Sequence, residues 1–300
     1  MSPMRRGTPA ADAYLDLQTR ARRENRSTQE LLQLYLLEGF LARLASSDLR
    51  DRFVLKGGVL LAAFDARRPT RDVDLAGLQV ANEVAAVREL VLTVLQVELA
   101  EDDGIEFDAE SAHAEMIREE DEYSGVRVSL GATLATAQLS FHVDVNVGDP
   151  IWPAPEVVAV PRLRGGPAIE LAGYPLPMVY AEKIVTAIQR GTANTRWRDF
   201  GDIWTLSRDH SVAGVDLRRA IVEVARHRKV ELVPLADALD GYADLAQARW
   251  SAWRRRSNSD HLPEGFDEVL TGVVAFADPV LLSQENVNIW DAPIESWRRE

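Results

Sequence analysis

Three hundred residues, 46% hydrophobic and 27% charged, describe an ordinary globular chain with room for one large core or two halves of roughly 150 residues each. No apolar run approaches the roughly 18 residues that span a bilayer, and the polar start has no apolar stretch of a secretory signal, so a cytoplasmic protein without membrane association is expected. Zero cysteines exclude disulfides, thiolate metal sites and cysteine nucleophiles, and a net charge of −13 argues against a general nucleic-acid coat, whose affinity comes from Lys and Arg set against phosphates.

Residues 8–50 read as two helices, the second opening on Ser27-Thr28-Gln29-Glu30, a capping-box pattern ahead of the apolar run from Leu31 to Leu37. Phe53-Val54-Leu55 is a short strand that stops at Gly57-Gly58, and Val59 to Phe64 reads as helix. Arg71 to Gly77 alternates polar and apolar residues, so a strand there carries Asp72 and Asp74 on one face and Val73 and Leu75 on the other. Residues 82–100 form an amphipathic helix, followed by an acidic loop, Glu101-Asp102-Asp103, to which no chemistry is assigned.

Two long alternating runs, Gly125 to Thr136 and Gln138 to Val147, predict an antiparallel hairpin. In the second run Leu139, Phe141, Val143, Val145 and Val147 fill one face and leave Ser140, His142, Asp144 and Asn146 on the other. A proline- and glycine-rich stretch follows, and from Pro177 on the pattern is helical. The expected class is α+β. A sheet flanked by helices, with a helical preface, fills residues 1–150; residues 151–176 connect, and 177–300 are helical.

Asp72 and Asp74 on one strand, joined by Asp144 from another, make an all-oxygen site of high negative charge density that suits Mg²⁺. In nucleotidyl transfer such carboxylates hold ions about 4 Å apart that activate the attacking hydroxyl and neutralise the leaving pyrophosphate. Gly57 and Gly58 let backbone N–H groups approach a polyphosphate, with the following helix start favouring negative charge. Clusters at Arg20, Arg22, Arg23 and Arg26, and at Arg249-Trp250-Ser251-Ala252-Trp253-Arg254-Arg255-Arg256, read either as solvated helix faces or as local nucleic-acid contacts.

Taken in order, the strand, the Gly-Gly turn, the helix, Arg68-x-Thr70-x-Asp72-x-Asp74 and His142-Val143-Asp144-Val145-Asn146-Val147-Gly148-Asp149 resemble the DNA polymerase β-like nucleotidyltransferase superfamily. Ala181-Glu182-Lys183, followed by Arg190-Gly191-Thr192-Ala193-Asn194-Thr195-Arg196-Trp197-Arg198-Asp199-Phe200-Gly201-Asp202-Ile203, narrows the resemblance to the AbiEii/AbiGii toxins, which include the MenT-like toxins. The similarity runs from about Lys56 to Leu206.

The resemblance implies a sheet of nucleotidyltransferase type whose active site is completed by the helical half. By the same resemblance Asp72, Asp74 and Asp144 hold the metal, and Lys183 binds the phosphates of an NTP. Asp199 and Asp202 lie three apart on one helix face; Asp202 is expected at the active site, and Asp199 at a helix cap or against Arg196 or Arg198. Gly57-Gly58 stands where many superfamily members have Gly-Ser, so a hydroxyl contact to phosphate is missing and Lys56 beside the turn supplies a compensating charge. Thr70 is the candidate regulatory hydroxyl, a phosphorylation target in some relatives; a buried structural threonine is its bland alternative.

The function so implied is the toxin half of a toxin–antitoxin pair that moves NMP from an NTP to an RNA acceptor. That acceptor is the tRNA 3′ end, an AbiEi-like antitoxin is the partner, and a monomer is the default state. A nucleotide-binding module without transfer activity and a Mg²⁺-dependent nuclease are the alternatives, since both fit the same carboxylates. Asp199-Phe200-Gly201 mimics a kinase motif without the rest of the kinase set. The five histidines show no pair at helical metal spacing, which speaks against a zinc hydrolase, and His142 is read as a cleft-lining or structural group.

Overall fold

The structure is a computed structural model that describes residues 6–119, 123–257, 259–282 and 288–298. The chain divides into two compact units, one formed by Met1–Gly148 with Glu156–Gly173, the other by Asp149–Pro155 with Tyr174–Glu300.

The first unit opens on helix α1 (Pro9–Arg23), where the Thr8 hydroxyl accepts the Ala11 N–H at 3.2 Å and Pro9 pre-sets the first turn. Helix α2 (Thr28–Ala45) starts without the expected capping box. Ser27 makes no side-chain cap bond, and the Glu30 carboxylate is taken instead by Arg26, one turn earlier, at 3.0 Å. Every residue of α2 from Leu31 to Leu44 is buried, as befits a helix apolar on almost all sides.

The two charged residues buried in α2 are both matched. Glu38 accepts the Leu163 N–H at 2.9 Å and an Arg67 guanidinium N–H at 2.5 Å, yet burial still pushes its carboxyl up from the ordinary range. Arg43 pairs with Asp103 at 2.6 Å, so the acidic loop that carried no assigned chemistry supplies a buried counter-charge.

The sheet follows as β1 (Phe53–Lys56), α3 (Gly57–Leu60), β2 (Asp72–Gly77), α4 (Val84–Leu95), β3 (Ile105–Glu119), β4 (Tyr123–Leu134), β5 (Ala137–Val147), β6 (Glu156–Val160) and β7 (Ile169–Gly173). Among the described residues these strands form one seven-stranded sheet in the order β3-β4-β5-β2-β1-β7-β6, antiparallel except where β2 meets β5 and β1 meets β7. The predicted hairpin is β4–β5, closed by Ala135 and Thr136. Phe141 on the apolar face of β5 meets Phe40 of α2, so that face lies against the buried helix.

Two differences from the sequence reading have physical causes. Strand β3 went unassigned because its alternation is broken by a bulge between Asp108 and His113, where the register slips. The stretch read as a connection contains β6 and β7; its prolines fall outside the paired positions, and Val157, 76% exposed, marks β6 as a sheet edge.

The second unit holds α5 (Leu176–Arg190), α6 (Trp197–Asp209), β8 (Val212–Ala213), α7 (Gly214–His227), α8 (Leu235–Ala238), α9 (Tyr242–Arg256), α10 (Phe266–Leu282), β9 (Ile289–Asp291) and β10 (Ser296–Arg298). The helices match the sequence reading, and the short β10-β9-β8 sheet adds to it. Its core is aromatic: Phe200, Tyr242, Trp250 and Phe266 are buried and meet with ring centroids between 5.2 and 5.7 Å. Asp278 of α10 accepts the Leu235 and Ala236 N–H groups at 2.7 and 3.2 Å and so caps the start of α8.

Candidate active site

Strand pairing puts one line of charge across the first unit. In parallel register Asp72 lies beside His142 and Asp74 beside Asp144. On one flank Lys56 of β1 pairs with Asp74, and on the other Arg127 of β4 pairs with Asp144. Four neighbouring strands therefore present Arg127, Asp144, Asp74 and Lys56 in a row, with Ser129, His142 and Asp72 one step along. The alternation that exposes these groups buries Val73, Leu75, Val143 and Val145 on the other face.

The row is unevenly balanced. Both oxygens of Asp144 accept from Arg127, at 2.8 Å from Nε and 2.6 Å from Nη2. Asp74 is pushed up to about 6, first by burial, then by the neighbouring Asp144 charge; Lys56 opposes the shift, and Asp72 adds to it. His142 Nδ1 lies 2.8 Å from the Ser129 hydroxyl, so its ring is oriented within the sheet.

The glycine turn is shaped by the same carboxylate. Gly57 sits at φ +66°, and a Cβ there would lie 1.8 Å from Asp74 Oδ2, so both conformation and space demand glycine. The Gly58 N–H points at that oxygen across a long 3.4 Å. A Cβ on Gly58 would meet the Thr70 hydroxyl at 2.8 Å and the Arg68 guanidinium at 3.3 Å. Thr70 and Arg68 thus close on the turn from the loop before β2. The helix after the turn is shorter than expected, one α-turn passing into a 3₁₀ segment through Phe64, so little macrodipole stands behind it.

In the second unit the Lys183 ammonium is held at 2.7 Å by Asp202 and 3.3 Å by Asp199, and Arg196 Nε meets Asp199 at 2.7 Å. Lys183 does not snorkel to solvent; it and both carboxylates are 12% exposed or less. Asp199 takes the expected Arg196 and shares Lys183 with Asp202.

The Arg249–Arg256 stretch splits. Trp250 is fully buried and donates to the Pro263 carbonyl, while Arg254 donates to the Leu262 carbonyl at 2.8 Å, so both belong to the packing of this unit. Arg249, Arg255 and Arg256 are exposed.

The pairing of Arg127 with Asp144 is the site feature that sequence reasoning missed. Its signal was present: counting back from a two-residue turn at Ala135 and Thr136 sets residue 127 opposite residue 144.

The sequence model of the family described as "Nucleotidyl transferase AbiEii toxin, Type IV TA system" matches residues 39–272. The chain belongs to that family. It is a nucleotidyltransferase and the toxin of a type IV toxin–antitoxin system, which implies an NTP substrate and an antitoxin partner.

Among solved structures, a Helicobacter pylori protein assigned as a nucleotidyltransferase is similar at TM-score 0.51 and 14% identity, covering 87% of this chain and 99% of its own. JHP933 from Helicobacter pylori is similar at TM-score 0.50 and 14% identity, covering 86% and 95%. At such identity these two show the fold. No curated protein matches the chain significantly. Among the described residues no helix is long and apolar enough to cross a membrane.

The family implies a divalent metal ion. Among the described residues no three His, Cys, Asp or Glu side chains are arranged to hold one. The Asp72/Asp74 pair nevertheless fits such an ion by its chemistry: two carboxylates two apart on one strand, one of them raised by burial and then by its acidic neighbours, whose repulsion an added cation would relieve.

Proposed function

We propose that this AbiEii toxin transfers NMP from an NTP to an RNA acceptor, the tRNA 3′ end, in a Mg²⁺-dependent reaction that blocks aminoacylation and translation. The observation that carries this reading is the row in which Asp72 and Asp74 stand beside Asp144 with Lys56 at one flank, an excess of carboxylates over cations on a sheet face beside a glycine turn. Asp72 and Asp74 would hold the ion, which when bound neutralises phosphate charge and favours attack by the acceptor hydroxyl.

The chain's own groups divide the remaining work. Gly57 and Gly58 keep side chains out of the way of a polyphosphate, and Lys56 adds positive charge at the same turn. The Thr70 hydroxyl lies 2.8 Å from where a Cβ on Gly58 would be, and so offers the turn a hydroxyl that its second glycine lacks. A phosphate placed on Thr70 would crowd that turn, consistent with a regulatory role. Lys183 contacts the NTP phosphates, with Asp202 as its partner and a further catalytic group. In the transfer, the acceptor oxygen bonds to the α-phosphorus as the bond to pyrophosphate breaks.

Full-length protein incubated with Mg²⁺, each labelled NTP and total tRNA should yield labelled tRNA and pyrophosphate, both lost in Asp72→Ala and Lys183→Ala. Unlabelled, intact tRNA with all four NTPs would sink the proposal. NTP binding without pyrophosphate release would identify a binding module, and shortened RNA a nuclease.

A further inference from the structure

The arginines at the C-terminal end of α1 have a plain reading when taken by themselves. Cations there complement the helix dipole, and Arg20 and Arg26 pair with Glu24 and Glu30 at 2.7 and 3.0 Å. The structure adds a second basic segment to them. The loop between β6 and β7 carries Arg162 and Arg164 on either side of Leu163, whose side chain is buried. Main-chain bonds fix Leu163 from two directions: its N–H goes to Glu38 at 2.9 Å, and its carbonyl accepts from Arg20. Arg164 reaches back to Asp16 of α1 at 2.8 Å. The dipole of α1 does not account for Arg162 and Arg164, which sit on a separate loop.

Residues 16–30 and 161–167 together hold six arginines against three carboxylates, Asp16, Glu24 and Glu30, in a chain whose 34 Lys and Arg face 47 Asp and Glu. Arg22, Arg23 and Arg164 are exposed. The acidic loop lies at the opposite end of α1, where Gly104 packs against Pro9 and Ala10, and so leaves this end positive. A phosphate backbone meeting a chain of net charge −13 is drawn to the place where the local sign is reversed.

The β6–β7 loop also touches the glycine-turn side of this unit. The Pro161 carbonyl accepts from Arg67, and the next residue, Arg68, closes with Thr70 on Gly58. The basic surface and the candidate active site of this unit thus share one fixed loop.

We propose that this surface binds the phosphate backbone of the acceptor RNA, with Arg22, Arg23, Arg162 and Arg164 as its phosphate contacts. Guanidinium groups suit the task, since each has donors beyond those that meet a carboxylate. The proposal rests on the reading of the acceptor as RNA.

Filter retention of labelled tRNA by the full-length chain, without NTP and near 0.1 M salt, tests it. Arg22→Gln with Arg23→Gln, and separately Arg162→Gln with Arg164→Gln, should each weaken tRNA binding at least about fivefold. Each should also lower the salt slope by about one unit per lost contact and hold NTP affinity, by calorimetry, within about twofold of the parent. A matched pair of exposed arginines, Arg50→Gln with Arg226→Gln, removes the same charge elsewhere and should keep tRNA affinity within about twofold. Unchanged tRNA affinity in either of the first two variants overturns the proposal. An equal loss in the matched pair does so too, since it would mark a general effect of charge. Failure of the parent chain to retain any tRNA would instead defeat the underlying reading of the acceptor.

Discussion

The acidic row on the sheet and the Lys183 cluster on the helices are both built from lysine, arginine and aspartate, and they balance charge in opposite ways. On the sheet, backbone register dictates the neighbours. Asp74 is set between Asp144 and Lys56 with Asp72 two residues away, and its carboxyl is raised first by burial and then by the Asp144 charge, with Lys56 opposing. On α5 and α6 the long Lys183 side chain reaches two carboxylates within 3.3 Å and is enclosed with them. A sheet face under tension for a cation and a helix cluster already closed should respond differently to every perturbation. A ligand of Lys183 would compete with both carboxylates, whereas a cation added beside Asp74 would lower the repulsion from Asp144 and Asp72.

The largest expected effect falls on catalysis through the sheet. If Asp72 and Asp74 hold the ion as proposed, Asp72→Asn and Asp74→Asn should each lower the rate of nucleotide transfer about a thousandfold or more, because β2 carries no other carboxylate to replace them. Single-turnover rates at saturating NTP measure this, and a residual rate within tenfold of the parent would break the contrast.

The helix cluster should answer first in stability. Lys183→Met leaves Asp202 buried without its ammonium and should cost about 3–5 kcal/mol in denaturant unfolding. Adding Asp202→Asn should restore most of that loss while leaving transfer abolished. A single variant as stable as the parent would mean that the closed pair contributes nothing to the fold.

The pH dependence tests the tension on the sheet directly. Asp74 titrates near 6 in the folded protein, above its ordinary value of 3.8. Between those values the folded state holds a proton that the unfolded chain gives up, so this group's contribution makes stability fall as pH rises from about 4 to about 6. Asp74→Asn should remove that fall, a difference of roughly 1–3 kcal/mol at pH 7 in chelator. Mg²⁺ should offset it in the parent and not in the variant. Thermal melts at pH 4.5 and 7.5, with and without the ion, decide it.

The two regions also differed in how legible they were. The face of β2 could be read from Arg71–Gly77 because strand alternation has a period of two and both aspartates fall in phase. That β5 would lie parallel beside β2, bringing Asp144 level with Asp74, was not readable, since parallel neighbours are set by long connections and not by a local turn. Arg127 was readable only after the hairpin turn was fixed. In the helical unit the three-residue spacing correctly put Asp199 and Asp202 on one face, but their sharing of one lysine depends on how α5 packs against α6. Trp250 looked like a stacking platform because arginines surround it in sequence. Burial against Phe266 gives it a different task, and single-residue patterns do not distinguish the two.

The smallest expected effect concerns α9, which offers the contrast a third case: cations on the surface. Arg254 donates to main-chain carbonyls of its own unit, while Arg249, Arg255 and Arg256 are exposed. If those three meet RNA phosphates, changing them together to Glu should weaken tRNA binding about tenfold near 0.1 M salt and flatten its salt dependence by about one unit of slope per lost contact. NTP affinity should not move, because the charges involved lie outside the sheet row and the Lys183 pair. Arg254→Ala should do the reverse, lowering the melting temperature through the lost Leu262 and Asp260 carbonyl bonds. RNA affinity and salt slope both unchanged in the triple variant would remove α9 from the acceptor site and leave its arginines as a solvated helix face.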